Sequence, residues 1–245
     1  MFTLHDELKF VIEPQVRPYC GPLFFAPSLE SAANVSANGS FGLLDTGKKR
    51  LLVTCHHVWS AFQEARCGDA SLRMLVCLDQ NPPVVLETPP IDEDKALDLA
   101  TFDMESLVAA CGGRKFFRLN QTSSHRLEKG DKLFFLGYPG CFRSVSEEGV
   151  QFGRATYAVN LTGVDGPRFY SDISNAKTLD LQMPKSAAQA DRHRGISGSP
   201  CFLVRQDRPV QLVGFTTSIF MDRLWFTHAR CLNPDGTLNR MPKQA

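Results

Sequence analysis

The sequence predicts an all-β protein. Short segments rich in β-branched and aromatic residues recur along its 245 residues, with turn-forming residues between them. Long helical periodicity is absent from the sequence, apart from residues 60–66 and 104–110. Many short strands of this kind are typical of a β-sandwich or β-barrel, and the length allows one or two domains with sizeable cores.

The predicted strands begin with a hairpin, in which residues 41–44 and 50–54 flank a turn at 45–48. Residues 111–127, with two adjacent glycines, have the composition of a linker. The remaining predicted strands are 72–78, 83–87, 132–140, 151–161, 178–183, 201–204, 210–218 and 224–231.

Composition and charge exclude several classes of function. The net charge is +1, and neither a run of like charge nor an RNA-recognition signature is visible, so no nucleic-acid partner is predicted. No apolar stretch reaches about 18 residues, so no membrane span is predicted. The first residues lack the pattern of a secretory signal, which favours a cytoplasmic protein.

The cysteines number eight and are scattered, so we expect reduced thiols rather than disulfides. No Cys-x-x-Cys motif occurs, which argues against a structural zinc site. Cys55, His56 and His57 are adjacent, but neighbouring strand residues point to opposite faces and cannot easily chelate one ion. We therefore predict no metal and no organic cofactor.

Three short stretches, 54–58, 97–100 and 195–200, carry the chemistry. They supply His57, Asp98 and Ser197, in that order. A serine hydroxyl is a poor nucleophile until a histidine takes its proton, and that histidine needs a carboxylate to orient it. The sequence therefore contains the three groups of a Ser-His-Asp triad.

Glycines around the serine favour an oxyanion hole. Gly195 lies two residues before Ser197 and lets the backbone turn its N–H groups inward, so the N–H groups of Gly195 and Ser197 would hold the oxyanion. Because successive strand residues face opposite sides, only one of His56 and His57 can face the cleft.

At these residues the chain resembles the trypsin-like, chymotrypsin-fold serine peptidases. The segment 54–58 is similar to their Thr-x-x-His motif, and Asp98-Leu99-Ala100 resembles Asp-Ile-Ala. Residues 195–200 resemble Gly-x-Ser-Gly-Gly-Pro, with Ser199 in place of the second glycine, and 213–218 resemble the strand that lines the substrate cleft. The resemblance spans roughly residues 38–230, is closer to cytosolic and bacterial branches than to secreted digestive enzymes, and favours His57 over His56.

The resemblance implies two Greek-key β-barrels of chymotrypsin type with the active site in the crevice between them. An N-terminal arm (1–18) would precede a first barrel (19–115) carrying the histidine and the aspartate. The second barrel (116–245) would carry the serine and the oxyanion hole. The implied activity is that of a serine endopeptidase, and the alternative is a catalytically idle scaffold of the same fold.

The same resemblance suggests where a protein or peptide substrate binds. Asp191, six residues before the serine, would lie at the base of the primary pocket and favour Arg or Lys, unless it pairs with its basic neighbours at the surface. Thr217, Ser218 and Ile219 would form the wall of this pocket. Because Ile196 replaces the aspartate that pairs with a cleaved N-terminus in secreted members, we expect activity without cleavage, with a regulatory protein partner as one possible trigger.

Two other enzyme classes are disfavoured. Asp45-Thr46-Gly47 matches the aspartic-protease motif, but basic residues follow it where those enzymes carry apolar ones. An α/β-hydrolase needs Gly-x-Ser-x-Gly before a helix and its histidine last in the chain. Here Ser199 breaks that motif, and a predicted strand follows it.

Overall fold

The computed structural model describes residues 13–28, 38–78, 83–111, 115–119, 126–146, 149–180, 194–205 and 209–240. Within these ranges the chain is mostly β-strand and forms two eight-stranded sheets and one two-stranded sheet. The prediction of an all-β protein is confirmed. No helix in the described ranges is both long and apolar enough to cross a membrane.

The first sheet is built by the N-terminal half of the chain. A short helix, α1 (Glu13–Val16), precedes it, and α2 (His56–Gly68) follows its third strand. The strands lie in the order β5-β4-β1-β2-β3-β7-β6, and β8 adds to β2 as a parallel neighbour. Their bounds are β1 (Cys20–Ala26), β2 (Asn38–Asp45), β3 (Arg50–Thr54), β4 (Arg73–Val76), β5 (Val84–Val85), β6 (Asp92–Asp94), β7 (Leu99–Asp103) and β8 (Phe117–Arg118).

The second sheet is built by the C-terminal half, in the order β13-β14-β18-β17-β16-β9-β12-β15, while β10 and β11 pair with each other. The bounds are β9 (Lys132–Gly137), β10 (Arg143–Ser146), β11 (Gly149–Phe152), β12 (Ala155–Asn160), β13 (Gly163–Asp165), β14 (Arg168–Asp172), β15 (Lys177–Asp180), β16 (Pro200–Leu203), β17 (Gln211–Phe220) and β18 (Arg223–His228).

The predicted strand 151–161 is in fact two strands in different sheets. The Gly153 N–H donates to the Phe142 carbonyl at 2.9 Å and closes the β10–β11 hairpin. Strand β12 then starts at Ala155 and pairs with β9. The sequence pattern is continuous across this break, so only the competing hydrogen bond reveals it.

The turn predicted at 45–48 does join β2 to β3.

The buried apolar residues show how the two sheets are arranged. One cluster belongs to the first sheet and α2, and a second cluster belongs to the second sheet. A third cluster joins both sheets, since Leu44 and Val53 of the first pack with Phe134, Phe202 and Phe215 of the second. Each sheet therefore curls around its own core and meets the other along a shared one, which confirms the expected double-barrel fold.

The ends of the described chain tie the two halves together. In α1, the buried Glu13 carboxylate accepts a hydrogen bond from Arg154 of the second half at 2.6 Å. After the last strand, Arg240 pairs with Asp92 of the first sheet at 2.7 Å. The N-terminal end of the described chain thus bonds to the second half, and the C-terminal end bonds to the first half.

Candidate active site

His57 lies in the first turn of α2, directly after strand β3. Its backbone N–H belongs to the helix N-terminus and has no partner within the helix, so it needs another acceptor. The Asp98 carboxylate accepts this N–H at 3.0 Å and the His57 Nδ1–H at 2.8 Å. One carboxylate therefore caps the helix and orients the imidazole.

Asp98 is held in a left-handed backbone conformation, with φ of +53°. Aspartate tolerates this region better than most residues do. Two buried leucines flank it, Leu97 and Leu99, and the Thr227 hydroxyl of the second sheet donates to the Leu97 carbonyl at 2.6 Å. These anchors keep the carboxylate aimed at His57 although its own backbone is strained.

The Asp98 contact also decides which ring nitrogen carries the proton. A carboxylate only accepts hydrogen bonds, so the proton of neutral His57 lies on Nδ1 and the lone pair lies on Nε2. The His57 side chain is 51% exposed and that of Asp98 is 14% exposed. The imidazole therefore reaches solvent while its orienting carboxylate is shielded.

Ser197 lies in a tight turn that precedes strand β16. Gly195 and Gly198 both have positive φ, +98° and +91°. A Cβ on Gly198 would come within 2.2 Å of the Ser40 carbonyl oxygen, so only glycine fits at this position. The two glycines of the motif are thus required by backbone conformation and by close approach to the first sheet.

Ser40 of strand β2 shapes this turn from the first sheet. Its N–H donates to the Ser197 carbonyl at 2.8 Å, and its hydroxyl donates to the Gly195 carbonyl at 2.7 Å. The hydroxyl also accepts the Tyr138 N–H at 3.1 Å. Ser40 is fully buried, and it lies beyond the three motifs, so sequence reasoning missed it.

Ser40 thus holds the carbonyl groups of Gly195 and Ser197, and the N–H groups of the turn differ in their partners. The Ser199 N–H donates to the Ile196 carbonyl at 3.0 Å, and the Gly198 N–H donates to the Thr216 carbonyl at 2.8 Å. Among the described residues, no acceptor bonds the N–H groups of Gly195 and Ser197. Two backbone donors near a serine hydroxyl are the arrangement that an oxyanion hole needs.

The two halves of the site meet at the Thr216 carbonyl in strand β17. This oxygen accepts both the Gly198 N–H and the Cys55 thiol, the latter at 3.2 Å. Gly198 follows Ser197 in sequence, and Cys55 is two residues before His57. The shared acceptor therefore brings the serine turn and the histidine helix together.

The Ser197 hydroxyl is directed toward strand β17. It donates to the Thr217 carbonyl at 3.3 Å. In the described part of the chain no hydrogen bond joins it to His57, so the His57–Asp98 pair is complete while the serine–histidine contact is not formed. Catalytic hydrogen bonds of this kind often tighten only when substrate is bound.

Cys55 is a further group that the motifs did not identify. It is the residue before α2 and is fully buried. Burial, with a smaller effect of the Asp98 carboxylate, raises the pKa of Cys55 well above its ordinary value. Its sulfur, His57 Nδ1 and a carboxylate oxygen of Asp98 all lie within 4.8 Å of one another. The expectation that Cys55, His56 and His57 cannot easily chelate one ion treated them as strand residues. In the structure the helix α2 begins at His56, and Cys55 and His57 approach the same carboxylate.

His56, the alternative to His57, faces a different carboxylate. Its Nε2 lies 3.5 Å from Glu93 Oε2, and Ser60 lies one helical turn away. Among the described residues no hydrogen bond joins His56 to Asp98. The Asp45–Gly47 segment forms the predicted turn, since the Gly47 N–H donates to the Asp45 carboxylate at 2.8 Å.

The predicted substrate-binding residues fall in two places. Thr217, Ser218 and Ile219 follow one another in β17, beyond the turn of Ser197. Thr217 is buried, whereas Ser218 and Ile219 are exposed. Asp191 lies outside the described residues. The seven cysteines whose side chains the structure describes form no disulfide with one another.

Comparison with solved structures shows the same fold in proteases. The active form of the Rv3671c protease from M. tuberculosis is similar over 92% of this chain and 82% of its own, with 14% identity and a TM-score of 0.51. An inactive form of the same protein gives 12% identity and a TM-score of 0.51, over 92% of this chain and 88% of the other. Deg5 covers 91% of this chain and 90% of its own, with 15% identity and a TM-score of 0.48. No protein-family model and no curated protein matches the sequence.

Proposed function

We propose that this protein is a serine endopeptidase that uses His57, Asp98 and Ser197. The observation that carries the proposal is the pairing of His57 with Asp98 beside a serine turn with two N–H groups that no acceptor among the described residues bonds. The double-barrel fold, shared with the M. tuberculosis protease, supports it. Function itself is argued from the site, because one fold hosts many functions.

In the proposed reaction the Ser197 hydroxyl turns from the Thr217 carbonyl to His57 Nε2. Nε2 takes the proton while the serine oxygen attacks the scissile carbonyl carbon. The oxyanion that forms accepts hydrogen bonds from the N–H groups of Gly195 and Ser197. Asp98 keeps the Nδ1 proton in place and stabilises the imidazolium.

Collapse of this intermediate expels the amine. His57 donates the proton it has taken to the leaving nitrogen, and Ser197 is left acylated. Water then attacks the acyl carbon while His57 takes one of its protons. The bond between the acyl carbon and the Ser197 oxygen breaks, the acid product leaves, and His57 returns the proton to the serine oxygen.

A fluorophosphonate probe tests the proposal, because it labels only an activated serine. We expect the intact protein to be labelled at Ser197, and we expect Ser197→Ala and His57→Ala to lose turnover by about 10⁴-fold or more. His56→Ala is the matched control, since it removes the neighbouring imidazole that faces Glu93. Loss of activity in His56→Ala but not in His57→Ala would contradict the assignment.

The alternative, an idle scaffold, makes the opposite prediction. It is favoured by the absence of a Ser197–His57 hydrogen bond among the described residues. An idle protein would not be labelled in any variant, although it would remain folded.

A cleavage profile on a peptide library would also test the proposed role of Asp191, which requires Arg or Lys before the cleaved bond.

A further inference from the structure

The Cys55 thiol is a buried nucleophile that the proposed reaction does not use. It lies behind the imidazole, with its sulfur, His57 Nδ1 and a carboxylate oxygen of Asp98 all within 4.8 Å of one another. We propose that these three atoms form a site for a zinc-class divalent cation, and that binding there switches the triad off. The site stands on geometry alone, and only its inhibitory effect rests on the proposed function.

The donor set suits zinc. Thiolate, imidazole and carboxylate are its usual protein ligands, and three of them leave the fourth tetrahedral position to water. Magnesium and calcium prefer oxygen ligands and would gain little from this set. The site should therefore discriminate zinc-class ions from the hard cations that are abundant in cells.

The distances require a small rearrangement. His57 Nδ1 and Asp98 Oδ2 are 2.8 Å apart in their hydrogen bond. Two ligands of one tetrahedral zinc lie roughly 3.3 Å apart, given the usual bond lengths. The half-exposed imidazole can move outward by this amount, whereas Cys55 is fixed in the core. The ion would enter from the side of His57 and rest on the thiol.

Binding changes the protons in a defined way. The cation takes the lone pair of Nδ1, so the Nδ1 proton of the neutral ring is replaced by one on Nε2. The Cys55 thiol gives up its hydrogen bond to the Thr216 carbonyl and releases one proton to solvent when it becomes a thiolate ligand. With a proton on Nε2, His57 has no lone pair for the Ser197 hydroxyl. Inhibition thus follows from the tautomer and does not need the metal to block the cleft.

Cobalt(II) offers a direct spectroscopic test on the full chain under reducing conditions. A tetrahedral site with a thiolate ligand gives a sulfur-to-cobalt charge-transfer absorption, which zinc should abolish by displacement. We expect this absorption in the unmodified protein and its loss in Cys55→Ser. Cys67→Ser is the matched control, since Cys67 is an exposed thiol near the end of α2, and it should keep the absorption.

Absence of the absorption in the unmodified protein, or its persistence in Cys55→Ser, would overturn the proposal. Circular dichroism shows whether Cys55→Ser is folded. If it is not, His57→Ala removes the half-exposed ligand instead and should weaken cobalt binding by about tenfold or more. Unchanged binding in that variant would equally refute the site.

Probe labelling then tests the consequence. Zinc should slow fluorophosphonate labelling of the unmodified protein, and a chelator should restore it, while labelling of Cys55→Ser should be insensitive to zinc. Zinc binding without slower labelling would refute the inhibitory role. If no form of the protein reacts with the probe, the proposed function fails, but the cobalt spectrum still decides whether the metal site exists.

Discussion

The His57–Asp98 pair and the Ser197 turn are held in different ways. All hydrogen bonds between His57 and Asp98 lie within the first half of the chain. The Ser197 turn belongs to the second half, yet Ser40 of the first sheet donates two hydrogen bonds to its carbonyls. The two side chains of the His57–Asp98 pair therefore come from one barrel, and the second barrel anchors residues beside them, Leu97 and Cys55. The serine turn, in contrast, is bonded directly by the other barrel.

This difference separates two kinds of defect. Changes at Asp98 should act on the tautomer and orientation of His57 and leave the serine turn intact. Changes at Ser40 should act on the turn and leave the His57 ring as it is. Variants at Asp98 and Ser40 test whether the two regions are independent. The pH dependence of unfolding, which depends on His228 in the second sheet, adds a measure of stability.

The largest expected effect is that of Asp98→Asn. An asparagine amide can donate to Nδ1 and favour the tautomer with a proton on Nε2, so kcat should fall by about 10⁴-fold. The measurement is turnover of a peptide substrate, with folding checked by circular dichroism. Asp45→Asn is the control, and it should remain active because Asp45 only accepts a hydrogen bond within its turn. Inactive Asp45→Asn would instead support an aspartic-protease mechanism.

The second expected effect is on stability and concerns His228 of strand β18. Burial, with a smaller effect of Arg230, lowers the pKa of His228 from 6.5 to about 4. Its Nε2 is buried without a hydrogen-bond partner among the described residues. The folded state thus favours the neutral ring, whereas the unfolded chain binds a proton below about pH 6.5.

The stabilisation from neutral His228 is complete above pH 6.5 and is lost as the pH falls from there to about 4. The free energy of unfolding should therefore decrease by on the order of 3 kcal/mol across this range. Urea unfolding of the protein and of His228→Phe at several pH values measures this decrease, and parallel pH profiles would contradict the prediction.

In the first sheet, the Lys49 hydrogen bond lowers the pKa of Asp103, so that carboxylate titrates only in more acidic solution.

The smallest expected effect is that of Ser40→Ala. It removes the hydroxyl that bonds the Gly195 carbonyl and the Tyr138 N–H, so the proposed oxyanion donors should be less well fixed and kcat should fall by about tenfold to a hundredfold. KM and the pH profile of kcat should not change, because neither substrate contacts nor His57 are altered. Ser171→Ala is the matched control, since Ser171 is an equally buried serine whose hydroxyl donates to the Asn160 carbonyl. Equal loss in both variants would show a general effect of destabilisation.

Much of this architecture was predictable, because local patterns encode it. The hairpin at 41–54 follows from two short apolar runs that flank a segment of turn-forming residues. The glycines of the serine turn follow from the need for positive φ. The prediction of one strand over 151–161 was wrong, because the Gly153 N–H bonds to Phe142 in the β10–β11 hairpin and so divides the segment.

The sequence by itself determined the all-β class and the three short motifs, because strand alternation and turn chemistry are local properties. The resemblance favoured His57 over His56, and the structure pairs His57 with Asp98. The sequence indicated nothing about Ser40 or about the nearness of Cys55 to Asp98, and the tertiary structure supplied both. Thr216 is 161 residues from Cys55, and Gly195 is 155 residues from Ser40, and each pair is joined by a hydrogen bond that forms only when the barrels pack together. Hydrogen bonds over such separations depend on the position of whole sheets, which no local pattern specifies.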